Sequence, residues 1–407
     1  MEQITGGITA ATGFMAASCE ANIKYSGRTD MAMVYSKEPC ECAGTFTTNV
    51  VKAACVQWDM RIVESGKPMH AVVVNSGIAN ACTGQEGFDA CEATARAVTD
   101  SLGVSYDSVA VASTGVIGMQ LPVDKLVAGV KAMSKTLDSS LVAGTDASKA
   151  IMTTDTVNKE IAVTFTVGDK KVTLGGMSKG SGMIHPNMCT MLGYVTTDAK
   201  ISKAVLTKIL KEDVVDTYNM ISVDGDTSTN DTLLVLANGM AGNEEIVEGT
   251  QAYEDFKEAL HFINETQAKR LAGDGEGACA LIECKVINAD TKENARTLAK
   301  SVICSSLTKA AVYGHDANWG RILCALGYSG AKFDPENMEL YYQGATNSML
   351  IYKDGMGTDY SEEEATVILS EPEVRIIADM KMGDQTATAW GCDLTFDYVK
   401  INADYRS

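Results

Sequence analysis

Apolar residues recur along this chain with two different periods, and the two alternate from one end to the other. Residues 70–75 (HAVVVN), 109–113 and 161–167 are short runs rich in β-branched side chains, the pattern of strands buried on at least one face. Between such runs, Phe88, Cys91, Ala95, Val98 and Leu102 step by three and four residues. That spacing predicts a helix with one apolar face, and Gly103 follows where a left-handed cap would end it. Tyr253, Phe256, Leu260 and Ile263 predict a second helix, and 294–313 a third. Residues 161–167, the turn Gly168-Asp169-Lys170 and 171–174 predict a β-hairpin, and 374–382 with 386–394 around Gly383-Asp384 predict another. Ser, Gly, Asp and Glu accumulate in 134–150 and 354–364, which read as soft connections. With no internal repeat to override it, this alternation predicts a mixed α and β architecture.

Length and charge narrow the function classes. A chain of 407 residues, 45% hydrophobic and 21% charged, is long enough for two or three domains and a sizeable core. Its net charge of -19 argues against nucleic acid or an anionic membrane as partner, because phosphates need clustered Lys and Arg. One local lysine still suffices for an anionic substrate. The first residues lack a basic and apolar leader, and no later run approaches the roughly 18 apolar residues that span a bilayer, so a cytoplasmic protein is expected. The twelve cysteines are scattered and read as reduced thiols, with Cys40 and Cys42 the one tight pair. His70, His185, His261 and His315 have no metal-ligand spacing, so no metal is expected. Asp224, Asp226 and Asp231 crowd one loop, but Thr229 stands where a calcium loop needs glycine; a structured turn is the better reading.

The glycine-rich stretch 175–182 raises phosphate binding first. Its lysine precedes the glycine, unlike a P-loop, and neither G-x-G-x-x-G nor G-x-S-x-G is present. By itself it reads as a tight turn. Downstream, Pro186 and Asn187 interrupt the chain, and Thr190 stands where the loop becomes a strand over 191–197.

The segment KGSGMIHPNMCTML (179–192) closely resembles the self-cleavage segment of the ornithine acetyltransferase (glutamate N-acetyltransferase) family of arginine biosynthesis, usually KGSGMIxPNMATML. Further similar segments are TAATGF (9–14), AGTFTTN (43–49), VNSGIANACTG (74–84), VASTGVIG (111–118), MTTDT (152–156), SVDGDTSTNDT (222–232), NWGRI (318–322) and NADYRS (402–407). Together they span nearly the whole chain in order. Departures from the usual pattern are Cys189 for Ala, Ile78 for Asn, and Asn158 and Ala317 for Pro.

The resemblance implies a layered sheet-and-helix sandwich of α/β (α+β) type, related to other self-processing proteins, with a smaller C-terminal domain. It implies self-cleavage between Cys189 and Thr190, giving an alpha chain 1–189 and a beta chain 190–407 paired as α2β2. Thr190 would be the nucleophile, with Thr114 and Gly115 as the oxyanion hole. Substrate-binding positions would be Thr153, Lys179, Thr190, Glu276, Asn402 and Ser407. The implied reaction is a ping-pong transfer of acetyl from N2-acetyl-L-ornithine to L-glutamate, without a cofactor, with acetyl-CoA a second candidate donor. The residue types suit that chemistry, since Lys meets a carboxylate, Glu an ammonium, and an N-terminal amine can act as base for a threonine hydroxyl. Two other classes stay open: an amidase or aminopeptidase with the same nucleophile, and an unprocessed homologue that binds amino acids.

Overall fold

The computed structural model describes residues 1–185 and 191–403. These form two compact units: Met1–Gly180 with 191–218 and Thr227–Gln267, and Ser181–His185 with Asn219–Asp226 and 268–403.

The first unit is built on a nine-stranded sheet. Its strands run Glu2–Ile4, Lys159–Val167, Lys170–Lys179, Leu192–Thr197, Thr232–Ala237, Met31–Phe46, Met69–Ile78 and Val109–Val116, with Phe14–Cys19 paired to Met31–Phe46 off this path. Met31–Phe46 joins the two ends of the sheet. Its first residues pair with Met69–Ile78 and its last with Thr232–Ala237, across an irregularity between Tyr35 and Cys40. Met69–Ile78 is buried along nearly its whole length and runs parallel to Val109–Val116, which accounts for its unbroken apolar run. Helices Ala54–Ser65, Gly84–Leu102, Val123–Met133 and Leu141–Ala150 contribute to the same core. Phe14, Met31, Met33, Val72, Val98, Val130 and Met133 are fully buried there, each burial stabilising by about 1.5–3 kcal/mol.

Leu192–Thr197 lies inside this sheet, antiparallel to Lys170–Lys179 and parallel to Thr232–Ala237. Residues on the two sides of position 190 are therefore bonded within one sheet. A break there would leave both pieces held by its ladders.

The second unit is smaller, a seven-stranded sheet in the order Met356–Gly357, Ser348–Lys353, Glu339–Gln343, Glu373–Asp379, Leu281–Ala289, Gln385–Cys392 and Ile221–Ser222. Helix Lys292–Cys304 packs on Leu281–Ala289 and Gln385–Cys392.

The mixed α and β architecture is as expected, and helix Gly84–Leu102 ends as predicted, with Gly103 at φ 75 and its N–H bonded to Thr99 O. The first hairpin also forms, though Lys170 already pairs with Val167 and the turn is only Gly168-Asp169. Three expectations need correction. Glu373–Asp379 and Gln385–Cys392 do not form a hairpin: both flank Leu281–Ala289, and the connection crosses its end through Met382 and Gly383 N–H bonds to Asn288 O. Alternation marks a strand's buried face but not its neighbour. The helix over 294–313 is two, Lys292–Cys304 and Ser306–Tyr313, because Ser305 takes an extended conformation and its hydroxyl caps Thr308 N–H. The soft stretch 134–150 contains helix Leu141–Ala150, capped by Ser140, whose buried Gly144, Ala147 and Ala150 permit close packing despite a polar sequence.

Candidate active site

Strand Val109–Val116 delivers Thr114 and Gly115 opposite Ser76 and Gly77 of the neighbouring parallel strand. Gly115 has φ +131, and a Cβ on it would lie 2.3 Å from the Gly77 carbonyl carbon. Neither the conformation nor the space admits a side chain. Thr114 is half-buried, and its Oγ1 accepts a hydrogen bond from Lys179 Nζ at 3.4 Å.

Lys179 is the last residue of Lys170–Lys179, paired with Leu192 across the ladder, and its side chain is 9% exposed. Beneath it Asp155 gathers four groups. Its Oδ1 accepts from Lys159 Nζ at 2.8 Å and Gly180 N at 2.6 Å, its Oδ2 accepts from Thr153 N at 3.1 Å, and Lys179 Nζ stands 4.0 Å from Oδ2. Burial pushes the Asp155 carboxyl up, but the charges of Lys179 and Lys159, with hydrogen bonds from Lys159 and Gly180, outweigh it and hold it at about 2. Asp231 behaves oppositely. It precedes strand Thr232–Ala237, its Oδ2 has no hydrogen-bond partner among the described residues, and burial raises its carboxyl well above the usual range despite Ser228, Lys179 and Thr47. The same unit thus holds two buried carboxyls that both feel the charge of Lys179 and are shifted in opposite directions.

Thr153 and Asp155 also line a cavity of about 570 Å³ with Arg28 and Lys149 on its wall. Arg28 is anchored there by a bond to Met152 O at 2.6 Å.

The second unit holds Glu276 and Asn402. Glu276 is 6% exposed; its N–H bonds Ser181 O, and its Oε2 accepts from Asn402 Nδ2 at 2.8 Å. Gly182 makes room for this carboxyl, since a Cβ there would lie 2.4 Å from Glu276 Cδ. Helix Phe396–Ala403, which carries Asn402, is docked by Thr395 on Gly277 O and by Tyr398 on Asp224. Asp224 also accepts from the N–H groups of Met183 and Ile184 at 2.6 and 2.9 Å, fixing Met183 at φ 54. The acidic loop is thus a structured turn that grips the chain leading to position 190. His185 follows, its Nδ1 3.0 Å from Ser222 Oγ; burial, then the charge of Lys300, lowers it to about 4 against Asp224.

Of the residues singled out in the sequence, Thr153 and Lys179 meet Asp155 in the first unit and Lys179 reaches Thr114, which Gly115 follows on its strand, while Glu276 meets Asn402 in the second. Cys189, Thr190 and Ser407 lie outside the described residues. Asp155 and Lys159 are candidate site residues that sequence reasoning does not single out, and Asp224 it reads only as part of a structured turn. Asp155 and Asp224 do fall within two of the quoted segments, MTTDT and SVDGDTSTNDT, and Lys159 stands four residues after Asp155. Among the described residues no group of three His, Cys, Asp or Glu is placed to hold a metal ion, and no helix is long and apolar enough to cross a membrane. The described cysteines are free thiols.

Residues 15–407 match the ArgJ family. The chain belongs to that family. The "Arginine biosynthesis bifunctional protein ArgJ" of Caldanaerobacter subterraneus subsp. tengcongensis is 48% identical over 407 residues, covering 100% of both chains. The crystal structure of the ArgJ bifunctional protein of Bacillus halodurans shares 45% identity and superposes with a TM-score of 0.51, covering 53% of this chain and 100% of its own. A Mycobacterium tuberculosis ornithine acetyltransferase, solved with ornithine, is 46% identical over 45% of this chain and 95% of its own, with a TM-score of 0.43. The mixed α/β fold expected from the resemblance to the ornithine acetyltransferase family agrees with the sheets and helices described above.

Proposed function

We propose that this chain cleaves itself between Cys189 and Thr190 and then transfers acetyl from N2-acetyl-L-ornithine to L-glutamate through an acetyl-Thr190 ester. Products are L-ornithine and N-acetyl-L-glutamate, within arginine biosynthesis. The observation that carries the reading is the Thr114–Lys179–Asp155 cluster, built on the strand that leads into the cleavage segment, in a chain of the ArgJ family.

In processing, Thr190 Oγ attacks the Cys189 carbonyl carbon and the peptide nitrogen leaves as an amine, converting amide to ester. Water then releases the Cys189 carboxylate. The new α-amine, with an ordinary pKa of about 7.7–8.0, is available in appreciable fraction near neutral pH to take the Oγ proton. In turnover the same oxygen attacks the acetyl carbonyl of the donor, and ornithine leaves carrying its nitrogen and the proton. Glutamate's amine next attacks the acetyl ester and restores the hydroxyl.

Each of these attacks passes through a tetrahedral oxyanion, for which Thr114 and Gly115 are the assigned donors. Thr153 and Lys179 receive the substrate carboxylate, and Glu276, Asn402 and Ser407 its ammonium-bearing portion. Processing yields chains 1–189 and 190–407, held together by the shared sheet and assembled as α2β2 in the cytoplasm. The Bacillus halodurans chain, about half as long as this one, is the size such a cut would leave. Because the relatives are called bifunctional, acetyl-CoA is the second donor to assay.

Intact mass spectrometry of the denatured protein beside Thr190→Ala tests the first step. Two fragments meeting at Cys189 and Thr190, with an uncut variant, are expected. A wild type that stays one chain after long incubation would remove the amine base and favour the amino-acid-binding homologue; acetate release independent of glutamate would favour an amidase.

A further inference from the structure

The second unit holds a cavity that the acetyl-transfer reading leaves unused. It has a volume of about 510 Å³ and lies where the residues leading into strand Leu281–Ala289, the end of helix Ser306–Tyr313, the end of helix Glu362–Leu369 and the residue after strand Gln385–Cys392 come together. Of the described residues, neither Glu276 nor Asn402 lines it.

Asp393 supplies the buried polar group of its wall. This residue is 4% exposed, and its Oδ1 accepts from Cys279 N at 2.9 Å and Ala280 N at 3.2 Å. Its Oδ2 is buried and has no hydrogen-bond partner among the described residues. A buried carboxylate oxygen in that state costs free energy that a ligand's N–H group would recover. Burial raises the Asp393 carboxyl against the N–H groups of Cys279 and Ala280 and the charge of Lys309. Lys309 is not a wall of the cavity; its Nζ donates to Val223 O and Cys392 Sγ.

Glu371 brings a second carboxylate to the same cavity, where it accepts from Ala345 N at 2.7 Å. Among the described residues no lysine or arginine lines it. Val312 and Leu369 give it an apolar side, and the Tyr313 ring, backed edge-on by Phe396 at 5.9 Å between centroids, adds an aromatic one. Two carboxylates beside an aromatic ring and an apolar flank suit a cation carried on a hydrocarbon stem.

We propose that this cavity is a second ligand site, for a small alkyl cation of the ammonium or guanidinium class, whose N–H groups reach Asp393 Oδ2 and Glu371 while its stem lies along Val312, Leu369 and Tyr313. The site stands whether or not Thr190 carries an acetyl group.

Cys279, an exposed free thiol on the cavity wall, reports occupancy. The purified protein would be treated with iodoacetamide, with and without n-butylguanidinium, and the alkylation rate of each cysteine read by peptide mass spectrometry. Cys82 and Cys324, exposed thiols that do not line the cavity, serve as references. At about ten times its Kd, butylguanidinium is expected to slow Cys279 about tenfold and to leave both references unchanged. n-Butylurea, which keeps the shape without the charge, should protect far less. Glu371→Gln and Asp393→Asn keep an amide oxygen for the backbone N–H groups but lose the charge, and each should weaken binding about tenfold. Glu371→Gln decides the matter if Asp393→Asn does not fold, and Glu276→Gln should leave protection as it is. An unprotected Cys279, equal protection by butylurea, or protection undiminished in Glu371→Gln or a folded Asp393→Asn overturns the proposal. Protection abolished by Glu276→Gln would put the cation at the proposed substrate site and overturn it as well.

Discussion

The two units hold their candidate residues by different means. In the first, Asp155, Lys159 and Lys179 are buried charges whose positions depend on one another, and Thr114 is tied to the same group. In the second, Asp224 grips main-chain N–H groups of the segment Ser181–His185, and Glu276 is steadied by one side-chain amide. Buried charge is a fragile way to build structure, since removing one partner leaves the other uncompensated. A carboxylate on backbone N–H groups fixes a shape with less at stake. The contrast is between charges that hold one another in the first arrangement and a carboxylate that holds a main-chain segment in the second.

The most damaging substitution is Asp155→Ala, which takes the carboxylate from the buried Lys159 and should destabilise the protein by about 3–5 kcal/mol in chemical denaturation. Asp224→Ala should cost less, about 1–3 kcal/mol, and should slow fragment formation followed by mass spectrometry. Equal losses would erase the distinction between the units. Gly115→Ala attacks the proposed oxyanion hole directly: the clash with Gly77 should lower kcat on the order of 10²- to 10³-fold. Smaller again is Asn402→Ala, which removes one hydrogen bond to Glu276 and should raise the donor KM by roughly fivefold, about 1 kcal/mol.

Acid separates the units with a sign that can be worked out. His185 has a folded value of about 4 against an ordinary 6.5, so the unfolded chain binds more protons between those values. Stability from keeping it neutral is complete above pH 6.5 and is lost as pH falls toward 4. Asp155 is depressed from 3.8 to about 2, so its contribution is present above 3.8 and lost only as pH falls toward 2. Acid titration of wild type and His185→Gln, followed by denaturation midpoints, should show the variant with a flatter slope between pH 6.5 and 4 and the same fall below.

Much of the first unit was legible in the sequence because its signals are local. The β-branched runs at 70–75 and 109–113 became buried parallel strands, and Gly103 capped its helix. Leu141–Ala150 was hidden because its buried face is Gly and Ala, which carry little hydrophobic signal. The second unit was harder to read where neighbours decided the outcome: a strand distant in sequence, Leu281–Ala289, inserted between two that looked like a hairpin. For the candidate site, the resemblance pointed to Thr153 and Lys179, but the carboxylate joining them is a tertiary fact. Asp155 is 24 residues from Lys179 in sequence, and only the pairing of Lys159–Val167 with Lys170–Lys179 folds one back on the other. Asn158, standing where the family usually has Pro, uses its amide to bond Ser148 at 3.0 Å.

Whether Thr190 carries the acetyl group is tested most directly by trapping that ester. The protein would be incubated with N2-acetyl-L-ornithine without glutamate, quenched in acid, and weighed as intact fragments. The fragment beginning at Thr190 is expected to gain one acetyl group, labile to hydroxylamine, and to lose it when glutamate is added before the quench. A fragment that stays unmodified while N-acetyl-L-glutamate accumulates, or an acetyl group on any other residue, would contradict the proposed mechanism.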